Sequence, residues 1–183
     1  MSVADMVLTP TGLRFMGRVF PCATGRGGIS TAKREGDGAT PAGIHRIAGL
    51  LYRPDRIGRP APWGEPIAPG DLWCDAADDP AYNHLVRAPF GASHENLRRA
   101  DPLYDLVLVT DWNWPDAQPG RGSAIFLHRW RRPGFPTAGC IAMARPHLRW
   151  IAARAAPGTR VMVPPALAGR ERTGGWASRD KAG

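Results

Sequence analysis

Glycine and proline punctuate this sequence so often that no long regular element fits between them. With 22 glycines and 19 prolines in 183 residues, most segments run only briefly before meeting a residue that breaks a helix or suits a turn. Such a chain is expected to build many short strands joined by turns. Its length suits one domain with a single real core, expected over residues 1–165, with a polar tail over 166–183. No stretch approaches the roughly 20 apolar residues that span a bilayer, so no integral membrane segment is expected. Residues 1–7 lack the basic start and apolar core of a Sec-type signal peptide.

Residues 3–8, 12–20 and 44–51 have strand-like character, separated by a glycine-rich stretch over 25–43 that reads as an ordered loop. Residues 53–75 are proline-rich and read as irregular. Ser93 is a candidate N-cap for a short helix over 94–99. Residues 103–110 contain Leu106-Val107-Leu108-Val109, the clearest buried strand. Two further apolar runs follow, 124–128 ending at His128 and 139–143 beginning with Gly139 and Cys140. A helix then opens at Pro146, where a missing N–H costs little. Its apolar stripe is Leu148, Ile151, Ala152 and Ala155, Gly158 closes it, and residues 159–163 return as a strand. The fold class is mainly β with minor α.

The formal charge is +8, yet the basic residues are scattered and no nucleic-acid-binding module accompanies them, so no nucleic-acid partner is expected. A basic surface suits any polyanion, a cell-wall polymer included. Cys22, Cys74 and Cys140 lie far apart with no Cys-x-x-Cys, which argues against a zinc or thioredoxin-like site. A bridge between Cys22 and Cys74 is open in an oxidising compartment. The odd count leaves at least one free thiol.

Chemistry concentrates in Phe126-Leu127-His128 and Pro136-Thr137-Ala138-Gly139-Cys140-Ile141-Ala142. Each half sets a reactive side chain at the end of an apolar strand. A thiol becomes a nucleophile when an imidazole accepts its proton. Gly139, with no Cβ, lets the backbone approach a substrate and offer N–H groups to an oxyanion. As an isolated pair, the same residues read more readily as a buried thiol and a core histidine.

Taken with the segments around them, these residues resemble the L,D-transpeptidase (YkuD-type) family. That family has a strand histidine followed by Ser/Thr-His-Gly-Cys, matched here by His128 and Thr137-Ala138-Gly139-Cys140. Thr40-Pro41-Ala42-Gly43 resembles its Thr-Pro-x-Gly segment. The stretches 71–74, 82–83, 93–95 and 121–126 resemble a short proteobacterial branch, and the likeness runs from about residue 12 to 164. The sequence departs from the pattern at Ala138, usually histidine, and at Ala142, usually Arg or Asn. Those departures bear on substrate choice more than on reaction type.

The resemblance implies a mixed β-sandwich or barrel with one helix after the cysteine, and no metal or organic cofactor. It implies Cys140 as nucleophile, His128 as base, the Arg129 carbonyl as orienter of the imidazole, and Gly139 with Cys140 as oxyanion donors. The implied substrates are peptidoglycan stem peptides, joined through diaminopimelate in 3,3 or L-alanine-linked 1,3 bonds. A carbapenem adduct, a periplasmic location and a monomer are also expected. Thr137, Ala138, Tyr82, His94, Glu95 and Trp130 are candidates for substrate binding. Asn83 and His84 reach toward the cleft in a minority reading, and Lys33, Arg34 and Asp37 are expected to fix the loop before Thr40. His45 is expected half-exposed on a strand, and His147 solvent-facing. The alternatives are an L,D-carboxypeptidase acting on the same stems, or a catalytically silent cell-wall-binding module.

Overall fold

Short strands dominate the structure, a computed structural model that describes residues 4–169. The expected tail beyond residue 169 lies outside the described residues. The first strands are Met6–Thr9 (β1), Gly12–Phe15 (β2), Arg18–Phe20 (β3), Cys22–Ala23 (β4), Ile29–Ser30 (β5) and Thr40–Pro41 (β6). They are followed by Gly43–Tyr52 (β7), Glu65–Pro66 (β8), Asp71–Cys74 (β9), Leu85–Arg87 (β10) and His94–Asn96 (β11). The last are Leu106–Thr110 (β12), Phe126–Arg129 (β13), Ile141–Met143 (β14) and Arg160–Val163 (β15), with one α-helix, Arg145–Ala152 (α1), before β15.

The main sheet runs in the order β3-β2-β1-β15-β7-β12-β13-β14-β4. Its two outer strands are consecutive in sequence, since β3 ends at Phe20 and β4 begins at Cys22. Only Pro21 separates them, so the sheet curls until its edges nearly meet. The result is a nearly closed barrel. Proline has no N–H to give to a ladder, and it sits at the seam.

Strand alternation divides the interior into two apolar clusters. Leu106, Leu108, Leu127, Ile141 and Met143 enter the larger one, with α1 contributing Leu148, Ile151 and Ala152. Val107, Val109, Phe126 and Cys140 enter the second, beside Trp73 and Tyr104. β12 is buried at every position, which explains why it reads as a continuous apolar run and not as an alternation.

Three local expectations are corrected. Residues 94–96 form β11, which pairs antiparallel with β9, Glu95 opposite Trp73; the fully buried β9 recruits strands along both edges. The same β9, with β8, gives regular structure to part of the 53–75 stretch. The helix ends at Ala152, a turn before Ala155, because Pro157 biases Ala156 away from helical conformation. Gly158 serves the turn into β15, its N–H donating to the Ile47 carbonyl at 2.8 Å.

Candidate active site

The parallel pairing of β13 with β14 sets the site. Leu127 lies opposite Ile141 and His128 opposite Ala142. Cys140 precedes Ala142 by two residues, so the sulfur and the imidazole project from the same face, diagonally across the two strands. That face belongs to the second apolar cluster, and both side chains line one cavity of about 290 Å³. A register slip of one residue would send either group into the larger core.

Each group is oriented by backbone. His128 Nδ1 lies 2.7 Å from the Arg129 carbonyl oxygen. A carbonyl only accepts, so Nδ1 carries the proton and Nε2 keeps its lone pair, as a base requires. The ring meets Tyr104 edge-on at 5.3 Å. Cys140 Sγ donates to the Ala124 carbonyl at 3.1 Å and accepts from the Phe126 N–H at 3.4 Å.

The turn before the cysteine is held in place by threonines. Thr137 Oγ1 donates to the Cys140 carbonyl at 2.6 Å and accepts from the Gly139 N–H at 3.1 Å. Gly139 sits at φ 147°, where an added Cβ would lie 2.9 Å from the Ala39 carbonyl oxygen. Only glycine fits there. Thr40, 1% exposed, donates to the Gly139 carbonyl at 2.7 Å and accepts from the Gly25 N–H at 2.9 Å. Thr40→Val preserves shape but strands both groups. It is expected to cost about 3 kcal/mol, the penalty for buried polar groups left unpaired, read as a lower urea midpoint at unchanged m-value.

The model of the YkuD L,D-transpeptidase catalytic domain matches residues 10–163. The chain belongs to the L,D-transpeptidase family. No curated protein and no solved structure matches it significantly.

Electrostatics in this L,D-transpeptidase domain favour neutral resting groups. Burial lowers the His128 imidazole to about 4, against support from the Arg129 carbonyl. Burial likewise pushes the Cys140 thiol up to about 12, against support from the Phe126 N–H. The sequence suggested a thiol already surrendering its proton to the imidazole. In the structure that proton faces the Ala124 carbonyl instead, because a buried ion pair must first repay its lost hydration.

The other candidates divide by place. Thr137, Ala138, Glu95 and Trp130 line the cavity with the dyad. His94 is exposed on β11, its Nδ1 2.7 Å from the Ala92 carbonyl oxygen. Tyr82 is buried behind the cavity wall and donates to Glu35 Oε2. Asp37 fixes its loop as expected, accepting from Lys33 Nζ at 2.6 Å and from the Arg34 and Ala39 N–H groups, each at 2.8 Å.

His45 is 4% exposed and not half-exposed, its ring edge-on to Trp112. His147 is half-buried with its ring against Phe20, not solvent-facing. All three cysteines are free, so Cys22 and Cys74 are not bridged.

Sequence reasoning missed Tyr104, Arg99 and Glu35, all of which line the cavity. Tyr104 ends a short 3-10 helix over Pro102–Tyr104 capped by Asp101. The Asp-Pro pair, a helix-start signature, was the available signal.

Proposed function

We propose that this protein is a peptidoglycan L,D-transpeptidase that works through a Cys140 thioester. The observation that carries the reading is the shared cavity of thiol and imidazole, with Nε2 left as the basic nitrogen. An acyl donor entering the cavity draws the Sγ proton onto His128 Nε2, and the sulfur attacks the amide carbonyl. Backbone N–H groups of Cys140 and Gly139 face the oxyanion. The Gly139 N–H now serves Thr137 Oγ1, so Thr137 yields or shares it as charge develops.

Collapse of the tetrahedral adduct breaks the C–N bond, and the imidazolium proton leaves with the amine. An acceptor amine then attacks the thioester, His128 takes its proton, and that proton returns to the departing sulfur.

The cavity wall mixes Arg26, Arg99 and Arg131 with Glu35, Asp75 and Glu95. Paired signs suit a peptide that carries both carboxylates and ammonium groups. Such a substrate places the enzyme on the cell-wall side of the membrane. Among the described residues no helix is long and apolar enough to cross a membrane.

The deciding measurement supplies pure protein with a tetrapeptide muropeptide and weighs the products. Crosslinked dimers are expected, and fragmentation assigns the bond as 3,3 or 1,3. Shortened monomers alone would make it a carboxypeptidase. Unchanged substrate would remove the enzymatic reading.

A further inference from the structure

Three consecutive residues beside the nucleophile are each held by a side chain from elsewhere in the chain. The Gly122 N–H donates to Tyr82 Oη at 3.0 Å, Ser123 Oγ to Glu35 Oε2 at 2.8 Å, and the Ala124 N–H to Asn83 Oδ1 at 3.0 Å. The last matters most. Ala124 sits at φ 50°, a left-handed conformation that an alanine keeps only when its surroundings impose it. Its carbonyl receives the Cys140 thiol.

Asn83 is 2% exposed and lies outside the cavity lining, so it does not reach a substrate. Its Oδ1 also accepts from Trp73 Nε1 at 3.0 Å, while Nδ2 donates to the Trp112 and Asn113 carbonyls at 3.0 and 2.7 Å. Two donors on one side and two carbonyls on the other fix which atom is oxygen and which nitrogen. The four bonds make it a rigid post between the β9 side of the cavity and the 112–124 loop.

We propose that Asn83 is a positioning residue for the nucleophile: it clamps Ala124 in the left-handed conformation, so that the Ala124 carbonyl holds the Cys140 S–H until an acyl donor enters. An acceptor facing S–H stabilises the protonated thiol and opposes the thiolate. It also fixes the rotamer from which the sulfur attacks. Loosening the clamp therefore makes the thiol more acidic and, at the same time, less well aimed. Unfolding would also make the thiol more acidic, so the pair of effects is read only on folded protein, and recovery by glycine at position 124 separates the clamp from a loss of fold. The inference rests on Cys140 being the acylated residue.

The test uses the full chain with Asn83→Gly, which keeps the positive φ of residue 83 (60°) accessible while deleting all four bonds. Two rates are followed on protein shown to be folded by circular dichroism: iodoacetamide alkylation of Cys140 against pH, and carbapenem acylation by intact mass. The alkylation inflection is expected to move toward acid by about one pH unit, the weight of one lost hydrogen bond. Carbapenem acylation is expected to slow by about tenfold or more through misplacement.

Adding Ala124→Gly to that variant is expected to restore part of the acylation rate, since glycine adopts the same φ without a clamp. An unshifted inflection, or no recovery in the double variant, would overturn the proposal. If Asn83→Gly does not fold, Asn83→Ser carries the same readouts. A wild-type protein that alkylates normally but forms no carbapenem adduct would instead count against the acyl-enzyme reading.

Discussion

Cys140→Ala is expected to lower crosslinking by about 10⁴-fold or more, and to leave no carbapenem adduct at all. His128→Gln is expected to lose nearly as much. The double variant should be little worse than either, because each residue is useless without the other. The structure supports this strong coupling. The imidazole is held by the Arg129 carbonyl, and the thiol lies diagonally across the β13–β14 pair on the same face. Donor turnover and intact-protein mass check the series together. Retained turnover in Cys140→Ala would transfer the chemistry to another group.

The second large effect concerns stability. His128 titrates near 4 in the folded protein, well below its ordinary value of 6.5. Between those two pH values the unfolded chain binds more protons than the folded one, so stability falls as the solution is acidified through that window. The loss approaches about 3 kcal/mol. Cys140 acts at the other end. Its thiol is held up to about 12 from 9.0, so the unfolded chain sheds a proton first and stability falls as pH rises above about 9. Urea midpoints across pH should form a plateau with two shoulders. His128→Gln is expected to flatten the acid shoulder and Cys140→Ala the alkaline one. An acid shoulder that survives His128→Gln would assign it to other groups.

The parts of the fold that were legible in the sequence were those decided by local pattern. The run Leu106-Val107-Leu108-Val109 announces a strand buried on both faces, and the structure places it between β7 and β13. The Thr-x-Gly-Cys turn and the upstream histidine were legible because short motifs preserve the chemistry they perform.

What stayed hidden depended on distant segments. β11 carries too little pattern to outvote the helix-start signal of Ser93, and it is a strand only because β9 lies alongside. The carboxylate of Glu35 reaches the cavity from a loop and the ring of Tyr104 from a 3-10 turn, both far from Cys140 in sequence. The hydrogen bond from the thiol to Ala124 could not be read in advance, since it requires a left-handed alanine that no propensity favours.

The placement of β15 has a consequence for how the barrel comes into being. This strand, Arg160–Val163, is wedged between β1 and β7, so the earliest and latest stretches of the barrel are neighbours. During synthesis the wall cannot be completed until residue 163 has cleared the ribosome. The nascent chain carries Cys140 through that interval on a sheet whose wall is still open.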